Sequence, residues 1–313
     1  MSRSGLKYAY FGTGVFAARC LELLSEWTEP SWVVTPPPRR SGRGGAVTRT
    51  PVGRLVSSKG WDIPLVETDA ASADPAVLDC LESVPVDLAF AVDFGQFIKG
   101  PLLYIGAGCL NIHPSMLPLY RGAAPLQRAL MDGAKETGVT VFRLDSGMDS
   151  GPVLLQKSIE IGGEDDFGSL REQSAVSGVR AFTEFARVSP IEEWNFTPQD
   201  GSSATSAPKV SSGEERIDWR RPAFEIVNLV RALSPRPGAW TTMRGKRLLI
   251  LSARAAEGAS GMSAGGLCFD GGVRVSAGEG SVALVTVQPE GKKPLPAEAW
   301  KNGLRMSAEE CMI

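Results

Sequence analysis

His113 is the only histidine among 313 residues, and it follows Asn111 by two positions in the apolar run Cys109-Leu110-Asn111-Ile112-His113. In a strand, residues two apart point to the same side, so an amide and an imidazole project together. An imidazole changes charge near neutral pH, which suits acid–base chemistry. The next strand-like run, Gly138 to Leu144, ends in the turn Asp145-Ser146-Gly147-Met148-Asp149-Ser150-Gly151. Neighbouring strands of one sheet therefore bring a carboxylate toward the imidazole. A lone histidine is commonly structural or surface-exposed. What turns the reading toward a site is its place at a strand end, beside Asn111 and ahead of an acid-bearing loop. Metal chemistry is not expected: there is one histidine, and the five cysteines (Cys20, Cys80, Cys109, Cys268, Cys311) are scattered, with no pair at ligand spacing.

These residues need a scaffold, and the first half of the chain supplies one. Leu6 to Phe11 reads as a strand, followed by Gly12-Thr13-Gly14 and an apolar helix through Phe16, Leu21 and Leu24. Trp32-Val33-Val34 is a second strand, and Val86 to Val92 is apolar on both faces, as in a buried parallel strand. Helices are expected over Pro125 to Met131 and Phe167 to Val188. Strands alternating with helices predict a Rossmann-like, doubly wound, mostly parallel α/β sheet. Ligand sites in such sheets lie outside the carboxyl ends of strands, where Asn111 and His113 fall. The turn Gly12-Thr13-Gly14 resembles a dinucleotide fingerprint. The second strand, however, ends Val33-Val34-Thr35-Pro36 without the acid that holds a ribose, so a tight strand-to-helix turn is the simpler reading.

The character changes after residue 189. Residues 190–208 hold Pro, Asp-Gly and Ser202-Ser203-Ala204-Thr205-Ser206, which reads as a linker between a domain at 1–189 and one at 209–313. A helix over Ala223 to Leu233 and short strands at Arg247 to Ser252, Val273 to Ala277 and Val282 to Gln288 predict a small, OB-like β-barrel. The chain carries a net charge of −2, yet Thr205 to the end is +4 and the rest −6, a weak sign that the C-terminal part meets an anion. No stretch approaches the roughly 18 apolar residues of a membrane span, and Met1 to Leu6 lacks a signal peptide's apolar core. A cytoplasmic protein is expected.

The run from Asn111-Ile112-His113-Pro114-Ser115-Met116-Leu117-Pro118-Leu119-Tyr120-Arg121-Gly122 to Gln127, continued by Thr137 to Thr140 and by Asp145 to Pro152, resembles the signature of the folate-dependent formyltransferases. Arg121-Gly122-Ala123-Ala124-Pro125-Leu126-Gln127 is most similar to the branch that acts on methionyl-tRNA. Further likeness lies in Phe11-Gly12-Thr13, Ala207-Pro208-Lys209, Ile217-Asp218-Trp219, Arg231 to Trp240 and Gln288 to Lys293. Gly14 stands where the family usually has Pro, Pro36-Pro37-Pro38 where it has Gln-Pro-Asp, Asp93-Phe94-Gly95 where Ala-Tyr-Gly is common, and Ser150 where it has Thr.

The resemblance implies a catalytic set of Asn111, His113 and Asp149, with 10-formyltetrahydrofolate as donor, the methionine amine of initiator Met-tRNA as acceptor, and no metal. Asn111 and a ring N–H of His113 then stabilise the oxygen of a tetrahedral intermediate, while Asp149 orients His113 and assists proton removal from the amine. Folate contacts are expected from Phe90, Ala91, Val92, Phe94, Ser115, Leu117, Pro118 and Asp145. Contacts to tRNA are expected from the basic loop with Arg39, Arg40 and Arg43, from Arg121, and from Lys292 and Lys293, with no membrane partner and a monomeric enzyme. Three other readings stay open: formyl transfer to a nucleotide-linked amino sugar, a non-catalytic tRNA- or folate-binding protein on the same scaffold, and a nicotinamide oxidoreductase.

Overall fold

The first apolar run forms strand β1 (Tyr8–Gly12), and helix α1 (Val15–Ser25) follows after two intervening residues. The structure, a computed structural model, describes residues 6–41, 45–256, 262–269, 271–303 and 311–313. There follow β2 (Trp32–Thr35), β3 (Arg39–Ser41), β4 (Ala46–Thr48), α2 (Pro51–Lys59), β5 (Leu65–Glu67), α3 (Pro75–Ser83) and β6 (Leu88–Val92). After them come β7 (Cys109–His113), α4 (Pro125–Met131), β8 (Glu136–Arg143), β9 (Val153–Glu160) and α5 (Phe167–Val188). The helix starts follow local chemistry. Thr50 accepts a hydrogen bond from the Gly53 N–H ahead of α2, Asp74 accepts one from Ala76 ahead of α3, and each cap is followed by a proline whose missing N–H costs nothing there.

The chain divides into two compact units. The first comprises the described residues of Met1–Gly122, Thr137–Ile159 and Arg171–Ser206, so the stretch expected as a linker belongs, as far as Ser206, to this unit. Its sheet has the order β5-β2-β1-β6-β7-β8-β9. The pairs from β5 to β7 are parallel, whereas β7 and β8 run antiparallel with Asn111 opposite Phe142 and His113 opposite Thr140. From β1 the chain moves outward to β2 and β5 on one side and then crosses back through α3 to β6 on the other, which places a switch point outside the carboxyl ends of β1 and β6. This is the doubly wound α/β sheet expected.

Two-residue alternation divides the strand side chains between two cores. Tyr8, Tyr10, Phe90, Val92, Leu110 and Ile112 pack with α1 and α5, while Ala9, Phe11, Ala89, Ala91 and Cys109 pack with Trp32, Val34 and α3. Because Leu110 and Ile112 face α5, Asn111 and His113 face the other way. The basic segment read as a loop is a hairpin, β3 pairing with β4 through Arg39↔Thr48, Arg40↔Val47 and Ser41↔Ala46. Arg43 lies outside the described residues.

The second unit comprises Ala123–Glu136, Glu160–Leu170 and the described residues of Ala207–Ile313. Its sheet uses β10 (Ala239–Met243), β11 (Lys246–Ala256), β12 (Leu267–Cys268), β13 (Arg274–Ser276), β14 (Ser281–Pro289) and β15 (Leu295–Pro296). The order is β10-β11-β14-β13-β12, antiparallel throughout, with β15 beside β14. Register shifts around Ser252 bend β11 against β14, the local device by which a long strand curls toward a barrel. Helix α6 (Ala223–Leu233) buries Ile226, Val230 and Leu233 in the same core as Val275, Val282 and Val287, and α7 (Ala297–Asn302) adds Trp300. This is the small antiparallel barrel-type domain expected. Among the described residues no helix is long and apolar enough to cross a membrane.

Candidate active site

The site lies wholly within the first unit, at the end of β7. Asn111 is half-buried and His113 is buried, side by side on one face of the strand. The ring of His113 makes two contacts that fix its chemistry. Its Nε2 lies 3.1 Å from the carbonyl oxygen of Tyr120, and its Nδ1 lies 3.8 Å from Asp149 Oδ2. A carbonyl can only accept, so Nε2 carries the proton of that bond. In the neutral ring Nδ1 then presents a lone pair toward the carboxylate. At 3.8 Å the two are too far apart for a direct hydrogen bond. Two acceptors thus flank one position, an arrangement that suits a donor bearing a transferable proton.

Asp149 is held from both ends. Its Oδ2 accepts the Gly122 N–H at 2.8 Å, and its carbonyl oxygen accepts from Gln199 Nε2 at 2.9 Å. Its backbone is left-handed (φ +49°), a conformation that aspartate tolerates better than most residues. Asp145 closes the same loop by accepting from the Gly147 N–H and from the Ser150 hydroxyl, both at 2.9 Å. Gly151 is required where the loop ends, because a Cβ there would lie 1.8 Å from the Arg143 carbonyl oxygen.

The loop after His113 is fixed through Thr140, the residue opposite His113 on β8. The Thr140 hydroxyl donates to the Ser115 carbonyl at 2.7 Å and accepts from the Leu117 N–H at 3.1 Å. Gln156 on β9 donates to the Leu117 carbonyl (2.7 Å) and to the Thr140 hydroxyl (2.9 Å). Ser115 is fully buried, with its hydroxyl donating to the Leu119 carbonyl at 2.7 Å. The Leu117–Pro118 peptide is cis.

A second group of residues meets at the switch point. The Gly14 N–H donates to the carboxylate of Asp93, and a Cβ on Gly14 would lie 1.9 Å from Asp93 Oδ2. Gly14 and Asp93, the two departures from the family pattern around this turn, therefore belong together. A proline at 14 would have no N–H to give and would collide with the carboxylate. The same contact puts a carboxylate at the amino end of α1, where a phosphate would otherwise be favoured. Asp93 is exposed to solvent as a residue, while its carboxylate is crowded by neighbouring protein groups. That surrounding mass pushes its carboxyl up to about 6, against the opposing pull of Arg171 and of the Gly14 N–H.

The remaining sequence-expected residues are placed as follows. Phe90, Ala91 and Val92 are buried strand residues, and Phe90 packs edge-on against Tyr8 and Phe182 at 5.7 and 5.0 Å, so at this strand only main-chain groups face outward at its end. Phe94 is half-buried against Phe11 at 5.7 Å, Leu117 is buried, Pro118 is half-buried and Asp145 is exposed. Arg39 and Arg40 are exposed on β3, where Arg39 pairs with Asp69 at 2.6 Å. Arg121 is turned onto Gln199, donating to Oε1 from Nε (3.1 Å) and Nη2 (2.7 Å). Lys292 and Lys293 are exposed in the turn between β14 and β15 of the second unit. Tyr120, Gly122, Thr140, Gln156, Gln199 and Thr205 were not singled out from the sequence. Tyr120 and Gly122, inside the signature run, and Thr140, in its continuation, carried the local signal.

Residues 6–185 match the family described as formyl transferase, and residues 209–305 match the formyl transferase C-terminal domain. The methionyl-tRNA formyltransferase of Caulobacter vibrioides is 36% identical over 304 residues, 95% of this chain and 97% of its own length. That of Stutzerimonas stutzeri is 38% identical over 297 residues, covering 93% and 92%. Among solved structures, the sugar 3N-formyl transferase WlaRD superposes with a TM-score of 0.65 at 18% identity, over 93% of this chain and all of its own. HypX from Aquifex aeolicus in complex with tetrahydrofolic acid gives 0.61 at 17% identity, over 98% and 51%. At such identities the superpositions speak for the fold. The two domain matches and the full-length relatives together show that this chain belongs to the formyl transferase family, with methionyl-tRNA formyltransferases among its full-length relatives.

Proposed function

We propose that this protein transfers a formyl group from 10-formyltetrahydrofolate to the methionine amine of initiator tRNA, acting as a cytoplasmic monomer without a metal. The observation that carries the reading is the pair of acceptors, Nδ1 of His113 and Oδ2 of Asp149, 3.8 Å apart with the far ring nitrogen already tied to the Tyr120 carbonyl. A neutral amine attacking a formyl carbon must shed a proton as it forms the new bond. His113 Nδ1 takes that proton, and the resulting imidazolium is held between the Asp149 carboxylate and the Tyr120 carbonyl. The same proton then returns to the departing nitrogen of the folate, so the enzyme ends unchanged. The Asn111 amide donates to the formyl oxygen while it is negative, a role worth about 3 kcal/mol for a well-aimed donor.

This ordering refines the expectation that His113 donates from the outset. In the neutral ring the N–H is spent on Tyr120, and Nδ1 becomes a donor only after it has accepted the amine's proton. The pterin is met by main-chain groups at the end of β6, by Phe94 and Pro118, and by the loop from Asp145 to Ser150. The exposed Arg39 and Arg40 of the first unit and Lys292 and Lys293 of the second supply charge for tRNA phosphates. Formyl transfer by the purified protein tests the reading, with initiator Met-tRNA, elongator Met-tRNA and a UDP-linked amino sugar as acceptors. Rapid formylation of the initiator alone is expected. Turnover on the sugar alone would move the protein to the sister chemistry, and folate binding without turnover would leave only a binding role.

A further inference from the structure

The stretch from Thr197 to Thr205 has the composition of a connector, yet it touches both the loop that follows His113 and the loop that carries Asp149. Thr197 and Val153 exchange both main-chain hydrogen bonds at 2.8 Å, so the stretch joins the strand that leaves the Asp149 loop. Gln199 then donates from one nitrogen to the carbonyls of Asp149 (2.9 Å) and Gly151 (2.7 Å). Its Oε1 is fixed by the two donations from Arg121. Six residues on, Thr205 accepts the Tyr120 N–H on its hydroxyl at 2.8 Å, accepts the Arg121 N–H on its carbonyl at 2.9 Å, and donates its own N–H to the Pro118 carbonyl at 3.3 Å. All of these partners lie in the first unit.

We propose that Thr197–Thr205 is a strap that sets the catalytic geometry, with Gln199 as the positioning residue for Asp149 and Thr205 as that for the Tyr120 carbonyl. The inference rests on the formyl-transfer reading for its kinetic consequence, though not for its geometry. Asp149 and Tyr120 both sit in left-handed backbone (φ +49° and +58°), which a loop does not keep unless something else holds it. The strap supplies that hold from outside the loops. Through Asp149 it sets where Oδ2 stands relative to His113 Nδ1, and through Tyr120 it sets the carbonyl that keeps the ring proton on Nε2. Arg121 completes the clamp, because Gln199 donates to two carbonyls only while its amide is kept from turning over.

Gln199→Glu is the sharpest test, because it keeps the shape and the Arg121 partner while removing both donations. The Gly122 amide, bound to Asp149 Oδ2, reports the carboxylate's position by hydrogen exchange in NMR without any need for activity. Its exchange should quicken at least tenfold in Gln199→Glu. In single-turnover assays the chemical step should slow about tenfold or more, the scale expected when reacting groups shift by a fraction of an ångström to an ångström. KM for donor and acceptor should stay within twofold. In an Asp149→Asn background, Gln199→Glu should cost nothing further, because the group it positions is gone. Thr205→Val should slow the same step and Thr205→Ser should restore it. Unchanged exchange at Gly122, or an equal loss with and without Asp149, would overturn the inference. An inactive wild-type protein would instead sink the formyl-transfer reading, and the Gly122 exchange would still decide the strap.

Discussion

Gly14→Ala is the perturbation whose outcome the structure sets most tightly. Gly14 has φ −82° and ψ −171°, extended backbone open to any residue, so alanine brings no conformational strain. By itself the change should stabilise by about 0.4–1 kcal/mol, because the unfolded chain loses freedom. Its Cβ, however, would fall 1.9 Å from Asp93 Oδ2 and 2.9 Å from Cγ. The carboxylate must swing away and give up the N–H, a charged hydrogen bond worth roughly 1.5–3 kcal/mol. The net expectation is a loss of about 1–2 kcal/mol. In an Asp93→Ala background nothing occupies that space, and the same substitution should become neutral or stabilising. Any strain of alanine at the left-handed position 93 (φ +44°) is common to both arms and cancels. The coupling should therefore reach about 2 kcal/mol, well above the roughly 0.5 kcal/mol by which independent sites depart from additivity. Hydrogen–deuterium exchange of peptides covering β1 and β6 along a urea series reads the stability of this unit without assuming that the whole chain unfolds in one step. An equal effect in both backgrounds would refute the Gly14–Asp93 contact and, with it, the account of why these two positions depart from the family together.

Three further outcomes follow from the same structure. The Asp93 carboxyl, raised to about 6, contributes stability that is fully present below its ordinary pKa near 3.8 and lost as pH rises through about 6. Asp93→Asn should therefore stabilise the first unit at pH 8 and do little at pH 4; solvent access at this position trims the effect to about 1 kcal/mol, and a pH-independent difference would contradict it. His113→Ala and Asp149→Asn should each lower kcat by on the order of 10²–10⁴ with KM little changed, since both act on the proton in flight; near-normal turnover would remove the residue from the set. Affinity for tRNA should fall steeply with added salt if Arg39, Arg40, Lys292 and Lys293 meet phosphates, and a flat salt response in a filter-binding assay would exclude that role.

Much of the scaffold could be read from periodicity. The helices over Pro125–Met131, Phe167–Val188 and Ala223–Leu233 stand where their apolar spacing and flanking residues put them. The expected strand at Val282 to Gln288 extends by only one residue at each end. The short helices α2 and α3 and the strands β5, β9 and β10 were not read from the sequence, and neither was the hairpin of β3 and β4, whose Arg40 and Val47 are both exposed, so that no buried stripe betrays it. The grouping of Asn111, His113 and Asp149 was legible because Asn111 and His113 share a strand, and because the acid-bearing turn is local. Gln199 was not, since its partners Arg121, Asp149 and Gly151 lie 48 to 78 positions away, and two of its four bonds reach main-chain carbonyls while the other two come from a flexible guanidinium. Composition reports what a segment can do to itself. It cannot report which distant carbonyls the segment will meet.

The backbone makes the same point in energetic terms. Among the described residues, the non-glycine positions with positive φ are Asp93, Tyr120, Asp149 and Arg244, and the first three stand on loops beyond the carboxyl ends of strands in the first unit. Left-handed backbone costs a residue with a Cβ about 1–2 kcal/mol, so each such position implies a compensating contact. For the first three those contacts are identifiable: the Gly14 N–H for Asp93, the Thr205 hydroxyl for Tyr120, and Gly122 with Gln199 for Asp149. At Tyr120 the strained peptide turns its carbonyl onto the imidazole, and at Asp149 it turns the carboxylate toward the ring's other nitrogen. A relaxed loop would hold neither group still, and the ring would then be free to choose its tautomer. Under the proposed transfer, a tautomer fixed before substrate arrives readies Nδ1 as the base for the incoming amine, and the strain then belongs to the chemistry rather than to the fold.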